Sequence, residues 1–270
     1  DEVDVLEEGS RVVVESGKGQ TFKSVKIDVA GLDSTLIYRL LHAAYIRGTD
    51  QIRVSFESKS EFELVHHAAT NLIGFVIVEE GKNFILIKDV HGSATEFDPI
   101  FRRVFYMLNS SINEGVEIIR QRNKELLKNL KQKDYEIGYS INFCLRYLNK
   151  KGYSDVQRNM MLYATLRSLE NLGDEYYSLF KYCIEYPIAN KELYSILMDL
   201  ADMFKQYSDI FYTPEKEKIV KLILSKKKIK EKIIILSKAI PKGKSAFLGP
   251  LWAISTRTFD LLEPKLEEAY

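Results

Sequence analysis

Cysteine is scarce in this chain of 270 residues: Cys144 and Cys183 are the only two. They make no disulfide framework, and each falls in an apolar helical pattern, which reads as a buried thiol in a reducing compartment. Long apolar runs are missing as well. A bilayer-spanning helix needs about 18 consecutive apolar residues, and stretches such as Ile233 to Leu236 fall far short. No signal-peptide pattern opens the chain, so a cytoplasmic protein without a transmembrane segment is expected. The first residues are Asp-Glu-Val-Asp rather than Met, and an upstream portion is expected to have been removed. The net charge is only +1, which argues against a strong overall pull on nucleic acid or an anionic membrane but leaves room for a local patch.

Catalytic signatures are also missing. There is no Gly-x-Ser-x-Gly elbow, no Walker-type phosphate loop, no His-Glu-x-x-His and no Cys-x-x-Cys. Gly17-Lys18-Gly19 is too short for a phosphate cradle and reads as a turn. His66 and His67 are adjacent, so on a helix they point about 100° apart and do not pair as metal ligands. His42 and His91 have no companion at ligand spacing. The chain is therefore expected not to be an enzyme.

What is present is patterned. Hydrophobic residues make up 46% and charged residues 29%, the balance of a globular chain with room for two domains. Residues 1–30 read as β-rich, with a β-branched run at Arg11 to Glu15 and alternation at Phe22, Val25, Ile27 and Val29. Residues 31–96 read as a small α+β domain in the order strand, helix, strand, helix, strand, strand. Asp33 caps a helix from Leu36 to Arg47, which Gly48 stops. Ile52, Val54 and Phe56 alternate, Glu61 to Asn71 is a second helix, and Glu80-Gly81-Lys82 joins two final strands.

From Phe97 the pattern becomes helical and remains so. Asp98-Pro99 opens a helix whose face is Phe101, Val104, Phe105, Leu108, Ile112, Val116 and Ile119. Asp134 to Leu148 follows, with Ile137, Ile141, Cys144, Leu145 and Leu148 inward. Ser154 and Gln157 read as a capping box for a third helix, which ends before Pro187. Then the same lengths recur: Lys191 to Tyr212, a helix opened by Pro214, a break at Pro241-Lys242-Gly243, and Ser245 to Tyr270. The reading is an all-α part at 97–270 made of two three-helix repeats, 97–187 and 188–270. Many Tyr and Phe residues fall here as core, and exposed ones suit a homodimer seam.

The third helix has two stripes. Leu166, Leu169, Gly173, Tyr176 and Phe180 form an apolar face, on which Gly173 admits a neighbouring helix. Arg167, Glu170, Asp174 and Lys181 lie beside it. Glu170 and Asp174 stack one turn apart and repel by about 0.2–0.5 kcal/mol. Solvent, Arg167 or a cation can answer them. Hard cations take several oxygen ligands, and facing helices of a bundle can supply them.

Glu170-Asn171-Leu172-Gly173-Asp174 resembles the acidic-Arg-apolar-small-Asp signature of the PhoU phosphate-uptake regulators, with Asn171 in the usual place of Arg. In that family the signature lies on the third helix of a three-helix unit that occurs twice. With Asp174 laid over Asp260, Glu170 falls on Thr256 and Asn171 on Arg257, so Asp260 marks a degenerate second copy. Lys133-Asp134-Tyr135-Glu136-Ile137-Gly138 is similar to the family's second-helix acidic segment, with Gly138 where an Asp is common. Its counterpart, Lys226-Lys227-Lys228-Ile229-Lys230-Glu231, is basic and would repel a cation.

The resemblance implies one site for a divalent or iron-type metal at Glu136, Glu170 and Asp174, the second being lost. Tyr45 to Ile52 and Leu72 to Ile77 resemble the linker domain of archaeal-type members, and Leu6 to Val12 is similar to the tail of an AbrB-like domain. The implied function is regulation of phosphate uptake by contact with a phosphate transporter, a sensor kinase, or both. The alternatives are an AbrB-type DNA-binding regulator, should such a domain lie upstream, and an adaptor using the bundle as a docking surface.

Overall fold

The computed structural model describes residues 3–8, 11–16, 22–90, 97–186, 191–240 and 245–269. The chain forms two compact units, Asp1–Thr70 with Gly74–Val90, and Asn71–Ile73 with His91–Tyr270.

In the first unit, β1 (Val3–Glu8) and β2 (Arg11–Ser16) pair antiparallel. The segment likened to an AbrB tail falls partly here, but its Gly9 and Ser10 lie outside the described residues, as do the turn at Gly17-Lys18-Gly19 and His91. A second sheet is built from β3 (Ser24–Asp28), β4 (Gln51–Ser55), β5 (Phe75–Gly81) and β6 (Phe84–Asp89), in the order β3-β4-β6-β5. The β3–β4 pair is parallel and the rest antiparallel. A parallel pair needs a crossover, and α1 (Ser34–Ile46) supplies it. The carboxylate of Asp33 caps α1, accepting from the amides of Thr35 at 2.8 Å and Leu36 at 3.1 Å. Gly48, at φ +87°, takes the left-handed conformation that ends it.

Helix α2 (Lys59–Thr70) starts with a capping box that the sequence reading passed over. Ser58 Oγ accepts from the Glu61 amide at 3.2 Å, and Glu61 accepts from the Ser58 amide at 2.9 Å. Ile37, Leu41, Tyr45, Ile52, Val54, Val65, Ile85 and Ile87 form this unit's core.

The second unit is a bundle of six long helical rods in the 3 + 3 order expected. Its elements are α3 (Phe97–Gln121), α4 (Leu127–Lys150), α5 (Val156–Glu185), α6 (Lys191–Tyr212), α7 (Lys216–Ala239) and a last rod broken at Leu261 into α8 (Leu248–Asp260) and α9 (Leu262–Ala269). Helix α4 packs on α3 and α5, and α7 packs on α6 and α8. The two triplets meet first helix to first helix (α3 on α6) and third to third (α5 on α8). That pattern maps onto itself when the triplets are exchanged. Buried Leu130, Ile137, Ile141 and Cys144 on α4 recur on α7 as Leu222, Ile229, Ile233 and Leu236, at the same intervals.

Several local expectations shift. The cap of α5 is Asp155, which accepts from the Arg158 amide at 3.1 Å, rather than Ser154. Its carboxylate reaches the first free amides, as a cap requires. The buried stripe of α3 passes through Gly115 and Ile118, leaving Val116 at the edge. A helix of 3.6 residues per turn drifts off a strict three-four count over seven turns. Pro187 and Pro241-Lys242-Gly243 lie outside the described residues.

Candidate functional site

The acidic seam lies where α4 faces α5. Leu166, Leu169, Gly173, Tyr176 and Phe180 of α5 are all buried, which turns the neighbouring stripe of Glu170 and Asp174 towards α4. Gly173 has the expected close neighbour. A Cβ there would stand 3.2 Å from Leu108 of α3 and 3.8 Å from Asp134 Oδ1 of α4. Asp134 therefore sits over the very turn that carries Glu170 and Asp174.

The electrostatics agree. Asp134 is pushed up to about 6, first by burial and then by the Asp174 and Glu170 carboxylates. Partial burial, with Glu170 and Glu175 beside it, also raises Asp174. Asp134 and Asp174 are thus penalised by neighbouring carboxylates. Glu170 has its own answer in Arg167, whose guanidinium lies 2.9 Å away.

Glu136 is placed elsewhere. It faces Arg103 of α3 at 3.9 Å, while Lys133 beside it pairs with Glu114. Residues 134 and 136 are about 200° apart on a helix, so only one of them can share a face with Glu170. Asp134 was the residue missed, and its spacing held the signal. It stands three and seven residues before the buried Ile137 and Ile141, on the seam side.

Asp260 is exposed at the last turn of α8, just before the break at Leu261. In the α4–α7 correspondence Asp134 matches Lys226 and Gly138 matches Lys230. Lys226 Nζ lies 3.9 Å from the Phe259 ring centroid and Lys230 Nζ 5.2 Å from that of Trp252. The second seam thus puts ammonium groups on aromatic faces where the first collects carboxylates.

Oxygen donors at the first seam are of the right type for a hard cation. Among the described residues, however, no three His, Cys, Asp or Glu side chains lie close enough together to hold one metal ion. The histidines diverge too: His67 Nδ1 meets the Tyr38 hydroxyl at 2.5 Å, and His66 faces Glu80 at 3.7 Å.

A different surface lies between α3 and α6. An open groove of about 980 Å³ is lined by Arg102, Phe105, Tyr106, Asn109, Lys205 and Tyr212 among others. Tyr106 is 76% exposed there.

No family model matches the sequence, and no match appears among curated proteins. The fold does have a counterpart. The crystal structure of the phosphate transport system regulatory protein PhoU from Streptococcus pneumoniae matches with a TM-score of 0.51 at 15% identity, over 63% of this chain and 91% of that one. At that identity the likeness is one of fold: six long helices in a PhoU-like bundle. The share of this chain that it covers is close to that of the helical unit. Among the described residues no helix is long and apolar enough to cross a membrane.

Proposed function

We propose that this chain is a PhoU-like regulator of phosphate uptake, acting by protein contact rather than by turnover. The observation that carries this reading is the bundle's likeness to PhoU of Streptococcus pneumoniae. The partners proposed are a phosphate transporter, a sensor kinase, or both, met in the cytoplasm by a homodimer. The α3–α6 groove supports contact, since Tyr and Arg are the side chains that dominate interface energetics and Tyr106, Tyr212 and Arg102 line it. In cells that carry this gene, its deletion should raise phosphate uptake when phosphate is abundant. Unchanged uptake would end the reading.

Metal dependence is part of the proposal and rests on the acidic field at Asp134, Glu170 and Asp174, with Glu136 outside it. An ion bound there requires Arg167 to leave Glu170 and the carboxylates to converge. Metal analysis of the purified chain against a Glu170→Ala/Asp174→Ala variant tests it, and equal metal content removes the site. The AbrB-like, DNA-binding alternative has no specific geometric observation in its favour.

A further inference from the structure

Helix α7 is electrically unlike the rest of the molecule. Its nine lysines and two glutamates give it +7. The whole chain carries +1, so everything else sums to −6. The helix packs inward through Leu222, Ile229, Ile233 and Leu236. Several lysines are already engaged: Lys228 and Lys232 on Asp199 at 3.0 and 2.5 Å, Lys218 on Glu215, and Lys226 and Lys230 on aromatic rings. Beyond Lys216 at the helix start, Lys221, Lys227 and Lys238 are exposed and have no such partner among the described residues.

Large aliphatic side chains stand exposed between those three lysines. Leu224 is 57% and Ile235 62% accessible, with Val220 and Ile234 beside them. Val220, Leu224, Lys227, Glu231, Ile234 and Lys238 follow one stripe of the helix, about 27 Å long at the usual rise, with Lys221 and Ile235 on its flank. Lysine heads alone would make an ordinary wet face. Lysines alternating with bare aliphatics make a surface with two chemistries at the same depth.

We propose that the outward face of α7 docks on an anionic membrane surface. The lysine heads meet lipid phosphates, their methylene stems lie along the boundary, and Leu224 and Ile235 enter the acyl edge, as in helices that lie in an interface plane. Two further features favour lipid over an acidic protein. Protein interfaces are depleted in Lys and enriched in Arg and aromatics, and α7 has no Arg, Tyr, Phe or Trp. Trp252 of α8, 41% exposed and adjacent to Lys230, borders this face with the amphipathic ring that suits a lipid–water boundary. The inference is independent of the phosphate-uptake reading and stands or falls without it.

The full chain is to be sedimented with vesicles of phosphatidylcholine alone and of phosphatidylcholine with about one third phosphatidylglycerol. Trp252 is the only tryptophan, so its emission reports docking directly. Binding is expected on the anionic vesicles only, with a blue shift and with weakening as salt rises. Each unpaired lysine contributes about a fivefold factor near such a surface. Lys221→Glu/Lys227→Glu/Lys238→Glu should therefore lose about a hundredfold or more, at unchanged circular dichroism. Leu224→Ser/Ile235→Ser keeps every charge and should still lose severalfold. That variant also decides the matter if the charge-reversed one fails to fold. Equal binding to neutral vesicles overturns the proposal, as does full binding by either variant. Tighter binding to soluble polyglutamate than to anionic vesicles overturns it in favour of an acidic protein partner.

Discussion

At the scale of single residues, three positions show how little side-chain volume decides. The Phe180 ring lies where a Cβ on Gly115 would stand. Gly115→Ala should therefore overpack the α3–α5 contact and cost about 1–3 kcal/mol, seen as a lower melting temperature. Gly138 is also mid-helix, but a Cβ there meets nothing within 4 Å. Gly138→Ala should raise stability by about 0.5–1 kcal/mol through helix propensity alone. Asp134 is held up to about 6 against an ordinary 3.8, so its ionised form is the penalised one. The penalty is full above about pH 6 and gone below about 4. In chelator, Asp134→Asn should stabilise the chain by about 1 kcal/mol at pH 8, a figure discounted for solvent screening, with the gain fading towards pH 4. A gain independent of pH would contradict the acidic-field account.

At the scale of elements, the helix starts are where sequence patterns misled and where they informed. Ser154 and Gln157 have capping-box spacing, yet Asp155 does the capping. The working box is Ser58 and Glu61. Glu61 also accepts from the Gly31 amide at 2.7 Å and the Glu57 amide at 2.9 Å, which ties the loop before α1 to the loop before α2. These backbone donors, Glu57 first, hold its carboxyl down at about 2 against an ordinary 4.5. A depressed acid lends stability above the unfolded value and loses it on the way down. The first unit should therefore weaken between about pH 4.5 and pH 2. Glu61→Gln should lower its stability at neutral pH and flatten that acid limb, as followed by thermal melts across the range.

At the scale of the whole molecule, each unit has its own core, so unfolding is expected in two transitions rather than one. Glu61→Gln should move one of them and Gly115→Ala the other, as calorimetry would show; a single transition moved by both would refute the division. Within the helical unit, exchange of the triplets maps the helix contacts onto themselves, yet the charge is not exchanged. Asp134 and Lys226 hold matching places with opposite sign. The duplicated architecture was legible because helix lengths and breaks recur in the second half, and the structure adds that the buried positions of α4 and α7 repeat at the same intervals. The acidic seam was half legible. Glu170 and Asp174 declare themselves by one-turn spacing, whereas choosing between Asp134 and Glu136 needs the angle at which α4 meets α5.

The amino-acid order alone determined that an α+β part precedes two helical triplets, since hydrophobic periodicity is local and each long helix must hide one face. It also placed Arg167 one turn before Glu170 as one of the groups able to answer it, beside solvent or a cation, and the structure makes that contact. Tertiary structure alone decided which carboxylates share a seam, that Phe180 fills the space above Gly115, and which α7 lysines are left over after Asp199, Phe259 and Trp252 take theirs. Those outcomes depend on how neighbouring helices are rotated against one another, and that rotation is set by packing between segments far apart in the chain.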